Sequence, residues 1–335
     1  MISYLGASLK NSILKKEDQM AREDDLYKWA TVDPWKAHPN LEKLVVWSKE
    51  QTQNPQLFFE AHAPQDLKRN GTQIHFSSPI QTATPENNQV YGDLFESKKS
   101  KSAVIILGHW NANKPTYNRL ARIYSMSGIS ALRISLPYHD ERRPKTMPIA
   151  SGLMSSDLNL TVESLRQAVI EARMGIKWLK QQGYTRIGLV GASLGSAIAL
   201  LTACHEPEVE AMVGYLTASS IADIVWKGSA TQHLKKAFEK DFDVKTLRDV
   251  WSCVNPGSYL NHLARPNFSM HVGWARFDTI CPTVQTKRML VQLKKLNVPV
   301  ESYSYACGHN TLALSPFIQA SGLRGIDFMR KKLLR

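Results

Sequence analysis

The chain has 335 residues, which is enough for one large α/β domain with an insertion or for two small domains. Hydrophobic residues make up 43% and charged residues 21%, and no apolar run approaches the roughly eighteen residues of a membrane-spanning helix, so we expect a soluble globular protein. The formal charge of +13 comes from scattered basic residues, so we expect no nucleic-acid partner, while peripheral contact with an acidic membrane surface is compatible with this charge.

Residues 1–70 are predicted to form an N-terminal extension packed on the core. They are polar with scattered aromatic side chains, and a helix-like stretch runs from about residue 16 to residue 30. The apolar residues 2–9 have no basic residue before them and no small-residue cleavage site after them, so no signal peptide is predicted. The four cysteines are widely spaced, which favours reduced, buried thiols, and we expect a cytoplasmic protein.

A core of alternating strands and helices is predicted over residues 71–218 and 264–335. Short strands at 72–76 and 89–95 open it as an antiparallel pair. Further strands are predicted at 103–107, 130–135, 186–190, 209–216, 268–274 and 298–305, and helices at about 115–126, 161–182, 194–204, 283–296 and from about 316. This alternation predicts an α/β fold with a mostly parallel central sheet covered by helices on both faces.

One connection in this core is too long for a simple crossover. Some fifty residues separate the strand that ends near residue 216 from the strand that begins near residue 268. They have a helical pattern and contain Trp226 and Trp251. We therefore expect a helical lid or cap inserted at residues 219–263.

The central chemical signal is the run Gly191-Ala192-Ser193-Leu194-Gly195, which follows a predicted strand and opens a predicted helix. A sharp turn between the two elements leaves the serine hydroxyl exposed above the sheet, and glycines two residues to either side give the turn room. The N-terminus of the helix directs N–H groups at the same place, so the N–H of Leu194 is an expected donor to a developing oxyanion. The context predicts a nucleophilic serine.

A serine nucleophile needs a histidine base and an acid that orients it, in the chain order Ser, Asp or Glu, His on this fold. Asp278 stands where a strand ends, and His309 stands in the loop after the last strand. The carboxyl ends of parallel strands share one edge of the sheet, so the sequence predicts a Ser193–Asp278–His309 triad. Asp223 remains an alternative acid, and His271 or His262 an alternative base.

Two further groups are expected near this triad. A second oxyanion donor should come from the loop after the strand 103–107, where we choose the N–H of Trp110, with a register uncertainty of one residue. Substrate contacts are expected from the residues of this loop, of the loop after the strand 130–135 and of the lid: His109, Tyr138, His139, Arg142 and Trp226. They would form an apolar acyl slot with a cationic rim that favours anionic esters.

From about Gly71 to the C-terminus the sequence resembles the α/β-hydrolase superfamily, through the Ser193 motif, the Asp278 segment and the pair Gly308-His309. Residues 136–144, 182–184 and 222–226 are similar to a branch that includes the group named abhydrolase domain-containing 18. The resemblance implies hydrolysis of carboxylic esters or acyl lipids without a cofactor. One departure is the order Gly-His at 108–109, where the superfamily commonly has His-Gly, so the resemblance does not fix the second oxyanion donor.

Three functions of different classes fit these residues. The first is an esterase or acyl-lipid hydrolase that forms an acyl-enzyme on Ser193. An acyltransferase would use the same triad, and a binding protein could keep the fold without the activity. The chain has no phosphate-binding or dinucleotide-binding glycine motif and no zinc-ligand spacing, so we expect neither a cofactor nor a metal.

Overall fold

The computed structural model describes residues 2–23, 40–147 and 149–334. Within these ranges the α-helices are α1 (Ile2–Glu23), α2 (Leu41–Gln53), α3 (Pro55–Phe58), α4 (Lys114–Met126), α5 (Leu158–Gln181), α6 (Leu194–His205), α7 (Ile221–Lys227), α8 (Gln232–Phe238), α9 (Val244–Val250), α10 (Thr283–Lys295) and α11 (Phe317–Leu333). The strands are β1 (Lys68–Asn70), β2 (Gln73–Ser77), β3 (Gln89–Phe95), β4 (Ser102–Leu107), β5 (Ser130–Ile134), β6 (Arg186–Ala192), β7 (Val209–Tyr215), β8 (Ser269–Ala275) and β9 (Val300–Tyr305).

All nine strands of the described residues form one sheet in the order β1-β2-β3-β5-β4-β6-β7-β8-β9. β1, β2 and β3 pair antiparallel, and β3 is also antiparallel to β5. From β5 to β9 every neighbouring pair is parallel. The predicted fold class is therefore confirmed, including the antiparallel opening. β1 begins at residue 68, so the sheet starts slightly before the predicted core boundary at residue 71.

Helices cover both faces of the sheet. Successive residues of a strand point to opposite faces, so alternate residues of one strand pack into different helical layers. Ala103, Ile105 and Leu107 of β4 are buried in one cluster with residues of α5 and α6. Val104 and Ile106 are buried in a second cluster with residues of α4 and α11. Every residue of β4 is buried, as expected for a central parallel strand between two helical layers.

The inserted segment 219–263 is helical, as its pattern predicts, and contains α7, α8 and α9. Trp251 is completely buried, and its indole N–H donates to the carbonyl of Leu158 at 3.4 Å. The hydroxyls of Ser48 in α2 and Ser252 are 3.0 Å apart, so the N-terminal helix α2 also contacts this segment. That these helices cover the active site remains a prediction.

Helix α1 starts earlier than the sequence pattern indicates. The pattern predicts a helix from about residue 16 to residue 30, whereas α1 spans Ile2–Glu23. Residues 24–30 and Trp35 lie outside the described residues. No helix in the described parts of the chain has the length and apolar character needed to cross a membrane. The four cysteines are unpaired and buried.

Candidate active site

Ser193 stands between β6 and α6 in a strained backbone conformation. Its φ is 51° and its ψ is −123°, a combination that a residue other than glycine rarely adopts. The N–H of Ser193 donates to the carbonyl of Tyr215 at 2.8 Å, which ties the turn to the neighbouring strand β7. The strained turn ends β6 abruptly and presents the side chain at the carboxyl edge of the sheet.

The two glycines of this motif allow close backbone contacts that no other residue would permit. A Cβ on Gly191 would lie 2.5 Å from the carbonyl oxygen of Gly195. A Cβ on Gly195 would lie 2.1 Å from the carbonyl oxygen of Gly108 and 2.4 Å from that of Leu107. Gly195 therefore lets the start of α6 pack directly on the end of β4, which brings the predicted oxyanion loop beside Ser193.

The three predicted catalytic side chains are joined by hydrogen bonds. Oγ of Ser193 is 3.0 Å from Nε2 of His309. Nδ1 of His309 is 2.8 Å from Oδ2 and 3.0 Å from Oδ1 of Asp278. The side chains of Asp278 and His309 are 3% and 10% exposed, so this chain of bonds is largely shielded from water. With Nδ1–H donating to Asp278, Nε2 is free to accept the serine proton.

Asp278 is held in place by backbone donors, and it acts on the charge of His309. Oδ1 of Asp278 accepts the N–H groups of Ile280 at 2.9 Å and Cys281 at 2.7 Å. Burial lowers the pKa of His309, but the charge and hydrogen bond of Asp278, together with the charge of Glu17, outweigh burial and raise that pKa above its ordinary value. The arrangement therefore favours the imidazolium that forms when Ser193 loses its proton.

The α6 end of the site offers a first oxyanion donor, and the loop after β4 limits the choice of the second. Leu194 is the first residue of α6, where a backbone N–H has no acceptor within the helix. The N–H of His109 donates to the hydroxyl of Tyr117 at 3.0 Å, and the N–H of Asn111 donates to Nε2 of His139 at 2.9 Å. The N–H groups of both neighbours of Trp110 thus have acceptors, and the N–H of Trp110 as the second donor stays a prediction.

The model of the family described as alpha/beta hydrolase domain containing 18 matches residues 97–305, more than half of the chain. The chain belongs to this family. The match includes Ser193 and Asp278, while His309 lies just beyond its end. The family match therefore covers Ser193 and Asp278, and the place of His309 beside them rests on the hydrogen bonds described above.

Solved structures with the same fold include a peptidase and two esterases. An acylaminoacyl peptidase of Pyrococcus horikoshii matches with a TM-score of 0.61 at 12% identity, over 84% of this chain and 43% of that one. An acetyl xylan esterase from Paenibacillus sp. R4 matches with a TM-score of 0.58 at 14% identity, over 89% and 98%. A Pyrococcus furiosus esterase matches with a TM-score of 0.54 at 16% identity, over 82% and 99%. This chain thus spans less than half the length of the peptidase, and these likenesses establish the fold.

The alternative acid, Asp223, lies in a different set of contacts. Its carboxylate accepts hydrogen bonds from Arg248 at 2.7 Å and 3.0 Å and lies 3.3 Å from Nζ of Lys227. Burial raises the pKa of Asp223, but hydrogen bonds from Arg248 and Ser220 and the charge of Arg248 lower it to about 2. Asp223 is therefore a buried partner of basic residues, and Asp278 is the acid that contacts His309.

The alternative bases are also placed away from Ser193 by their partners. His271 is a buried residue of β8 whose ring stacks on Tyr303, with 5.6 Å between ring centroids. Nδ1 of His262 is 3.2 Å from the carbonyl oxygen of Cys204 at the end of α6. Of these three histidines, His309 is the one whose ring lies within hydrogen-bond distance of Oγ of Ser193.

His139 and Tyr138, which are expected to contact the substrate, are both buried in the loop after β5, and their contact with a substrate stays a prediction. His139 donates from Nδ1 to the carbonyl of Pro137 at 2.9 Å and accepts the Asn111 N–H at Nε2. Burial lowers the pKa of His139 to about 3, so the ring is neutral. Tyr138 has a φ of 61°, and its N–H donates to Oδ1 of Asn87 at 3.0 Å. His139 thus holds the loop that carries Trp110.

The substrate contacts expected of His109 and Trp226 stay predictions. His109 is exposed, and its Nδ1 lies 2.7 Å from the Tyr117 hydroxyl. Desolvation of the ring by the surrounding protein is the main cause that lowers the pKa of His109, and the charge of His309 adds to it. The pKa falls to about 4, so the ring is neutral at pH 7. Trp226 is half-buried and packs against the main core cluster. Among the described residues no group of three potential ligands could hold a metal ion.

The interpretation of Arg142 as part of a cationic rim is wrong. Its side chain is completely buried, and its guanidinium donates to the two carboxylate oxygens of Glu171 at 2.6 Å and 2.7 Å. It also donates to the carbonyls of Ser135 at 2.9 Å and Asn87 at 2.7 Å. Arg142 therefore fastens the loop after β5 to helix α5, and its charge is already compensated.

This contact makes a stability prediction. Arg142→Ala should lower the free energy of unfolding by about 3–5 kcal/mol, because it leaves Glu171 buried without its partner. Urea unfolding followed by circular dichroism would measure the loss, and Lys145→Ala at an exposed position of the same loop is the control, with an expected change of about 0.5 kcal/mol or less. An unchanged unfolding midpoint for Arg142→Ala, combined with a raised KM for anionic esters, would restore the cationic rim.

Proposed function

We propose that this protein is a serine hydrolase that cleaves a carboxylic ester or an acyl lipid through an acyl-enzyme on Ser193. The observation that carries the proposal is the unbroken chain of bonds from Oγ of Ser193 through the imidazole of His309 to the carboxylate of Asp278. This chain starts at a serine with a φ of 51° at a strand-to-helix turn. Such an arrangement turns a weakly nucleophilic hydroxyl into an attacking group.

In the proposed reaction Oγ of Ser193 attacks the acyl carbon while its proton passes to Nε2 of His309. The carboxylate of Asp278 stabilises the imidazolium, and the N–H groups of Leu194 and Trp110 receive the oxyanion. His309 then returns the proton to the departing alkoxide, which leaves as an alcohol and gives the acyl-enzyme. Water attacks the acyl carbon in the second half with His309 again as base, which releases the acid and restores Ser193.

Ester chemistry is the first choice because the Paenibacillus sp. R4 and Pyrococcus furiosus neighbours are named esterases. The Pyrococcus horikoshii neighbour is named an acylaminoacyl peptidase, so amide bonds belong in the same test. An ester is also the easier bond for this triad, since its alkoxide leaving group needs less help from the proton on His309 than an amine does.

A substrate panel tests the proposal. We expect turnover of at least one member of a p-nitrophenyl ester series from acetyl to palmitoyl, or of a lysophospholipid, and none above background with Ser193→Ala. An N-acetylamino-acid p-nitroanilide in the same panel reports amide cleavage, and faster turnover of the anilide than of every ester would contradict the ester assignment. Adding a primary alcohol to the best ester distinguishes the acyltransferase, which would yield a new ester as its main product instead of the free acid.

A further inference from the structure

Helix α1 places a buried carboxylate on the turn that follows His309. Glu17 is 6% exposed, although its neighbours Lys15 and Lys16 are exposed on the same helix. Its Oε2 accepts the N–H of Asn310 at 2.9 Å, and its Oε1 accepts the N–H of Thr311 at 2.6 Å. Both carboxylate oxygens are therefore engaged by the backbone of the residues directly after His309.

The turn needs these acceptors because His309 cannot supply one. Residues Asn310–Ala313 form a 3-10 turn with His309 at its N-cap position, and the first N–H groups of such a turn have no partner within it. A serine, threonine or aspartate at this position would accept them, but the ring of His309 is engaged with Ser193 and Asp278. The cap is thus provided from outside the turn, by a residue of α1.

Gly308 is the residue that lets Glu17 come so close. A Cβ on Gly308 would lie 2.4 Å from Cδ and Cγ and 2.5 Å from Oε1 of Glu17, and these are its three nearest atoms. The N–H of Gly308 donates to Oγ1 of Thr311 at 2.8 Å, so the turn is closed on one side and capped by Glu17 on the other. The glycine before His309 therefore has a physical reason that involves α1.

The carboxylate also acts on the charge of His309. The titratable groups that act on this imidazole are Asp278 from the loop after β8, Glu17 from α1 and His109 from the loop after β4. The charges of Asp278 and Glu17 both favour the imidazolium, against the effect of burial. The pKa of His109 is lowered to about 4, so its ring carries no charge in the neutral range. Cys307 faces the same two carboxylates, and burial raises the pKa of its thiol to about 12, so it is also neutral.

We propose that Glu17 is a positioning residue of the active site, which holds the backbone of His309 in register with Ser193 and supports its positive charge. Helix α1 is then part of the catalytic apparatus and not a separate extension. The proposal deepens the proposed function, since it concerns the base of the same reaction. The geometry of the cap and the fit of Gly308 carry it.

The first test compares Glu17→Gln and Glu17→Asp in the full chain. Glutamine removes the charge and turns one of the two acceptor oxygens into a donor, while aspartate keeps the charge on a shorter side chain. We expect Glu17→Gln to lower kcat about tenfold, because a small displacement of the base costs this much, while KM changes by less than about twofold. Glu17→Asp should recover part of kcat, and Glu50→Gln on the exposed face of α2 should behave as the wild type.

The second readout is the pKa of His309, measured by a nuclear magnetic resonance titration of the histidine signals, with His309→Gln to assign the signal. Loss of the Glu17 charge should lower this pKa, whereas a purely structural role would leave it unchanged. His309 must be neutral to accept the serine proton, so the acidic limb of kcat/KM should move to lower pH in Glu17→Gln. An unchanged His309 pKa together with an unchanged kcat would overturn the proposal.

The titration needs neither a substrate nor a reactive Ser193, so its result stands even if no ester of the panel is cleaved.

A double-mutant cycle gives an independent test of the proposed cap. Gly308→Ala should lower kcat in the wild-type background by displacing Glu17, and should add little to Glu17→Ala, where the clashing Cγ and Cδ are gone. Additive losses would show that Gly308 and Glu17 act separately and would contradict the proposed cap.

Discussion

Ser193→Ala is expected to lower turnover by about 10⁴–10⁶ while leaving the circular dichroism spectrum and the melting temperature close to those of the wild type. The loss should be this large because the reaction proceeds through a bond to Oγ, and no other hydroxyl shares the hydrogen bond to Nε2 of His309 among the contacts of the described residues. The fold should tolerate the change, since the backbone of the turn, not the side chain, makes the contact with Tyr215.

A fluorophosphonate probe provides the matching measurement without any knowledge of the substrate. It should label the wild type and Ser302→Ala, an exposed control on β9, and should not label Ser193→Ala. Because the backbone at Ser193 is strained, the melting temperature of Ser193→Ala can lie slightly above that of the wild type. Its circular dichroism spectrum should still be that of a folded protein. Equal labelling of Ser193→Ala and the wild type would remove Ser193 from the mechanism.

The turn at Ser193 and the acid Asp278 could be predicted from the sequence because their signals are local. Glycines around Ser193 are needed where a strand turns sharply into a helix, and the flanking apolar run and small-residue helix can be recognised in one window of sequence. Asp278 and His309 follow from the rule that the ends of parallel strands share an edge, which fixes three distant segments at once. The mostly parallel sheet and its two covered faces follow from the alternation of strands and helices, whereas the order of the strands in the sheet is given by the structure alone.

The partners of buried charges could not be predicted in this way. A run with two arginines has the same pattern in sequence whether it is solvated or buried, and Glu171, which buries Arg142, stands 29 residues further along. Glu17 is separated from Asn310 by 293 positions, and a single glutamate in an N-terminal helix carries no motif. Such contacts depend on how helices settle on the finished sheet, a tertiary effect without a periodic pattern.

Asp278→Asn should cost about 10⁴ in kcat/KM, and the backbone around it shows why. Oδ1 of Asp278 accepts two N–H groups, from Ile280 and Cys281, so the amide oxygen of an asparagine would take this position. The amide NH₂ would then replace Oδ2 and point at Nδ1 of His309, which is 2.8 Å away in the wild type. Two donors cannot share a hydrogen bond, so Nδ1 would lose its proton and Nε2 would carry it instead.

With the proton on Nε2, His309 donates to Oγ of Ser193 and can no longer accept from it, so the attack loses its general base while the fold stays intact. Asp223→Asn is the matched control. Asp223 is the alternative acid from the sequence analysis, but its carboxylate contacts Arg248 and Lys227. It should lose less than about tenfold in kcat/KM, with its effect seen mainly in stability. Both variants would be measured with the best ester of the panel and with the rate of fluorophosphonate labelling. If Asp223→Asn lost the larger factor in both measurements, Asp223 would be the acid that orients His309 and the arrangement around Asp278 would be structural.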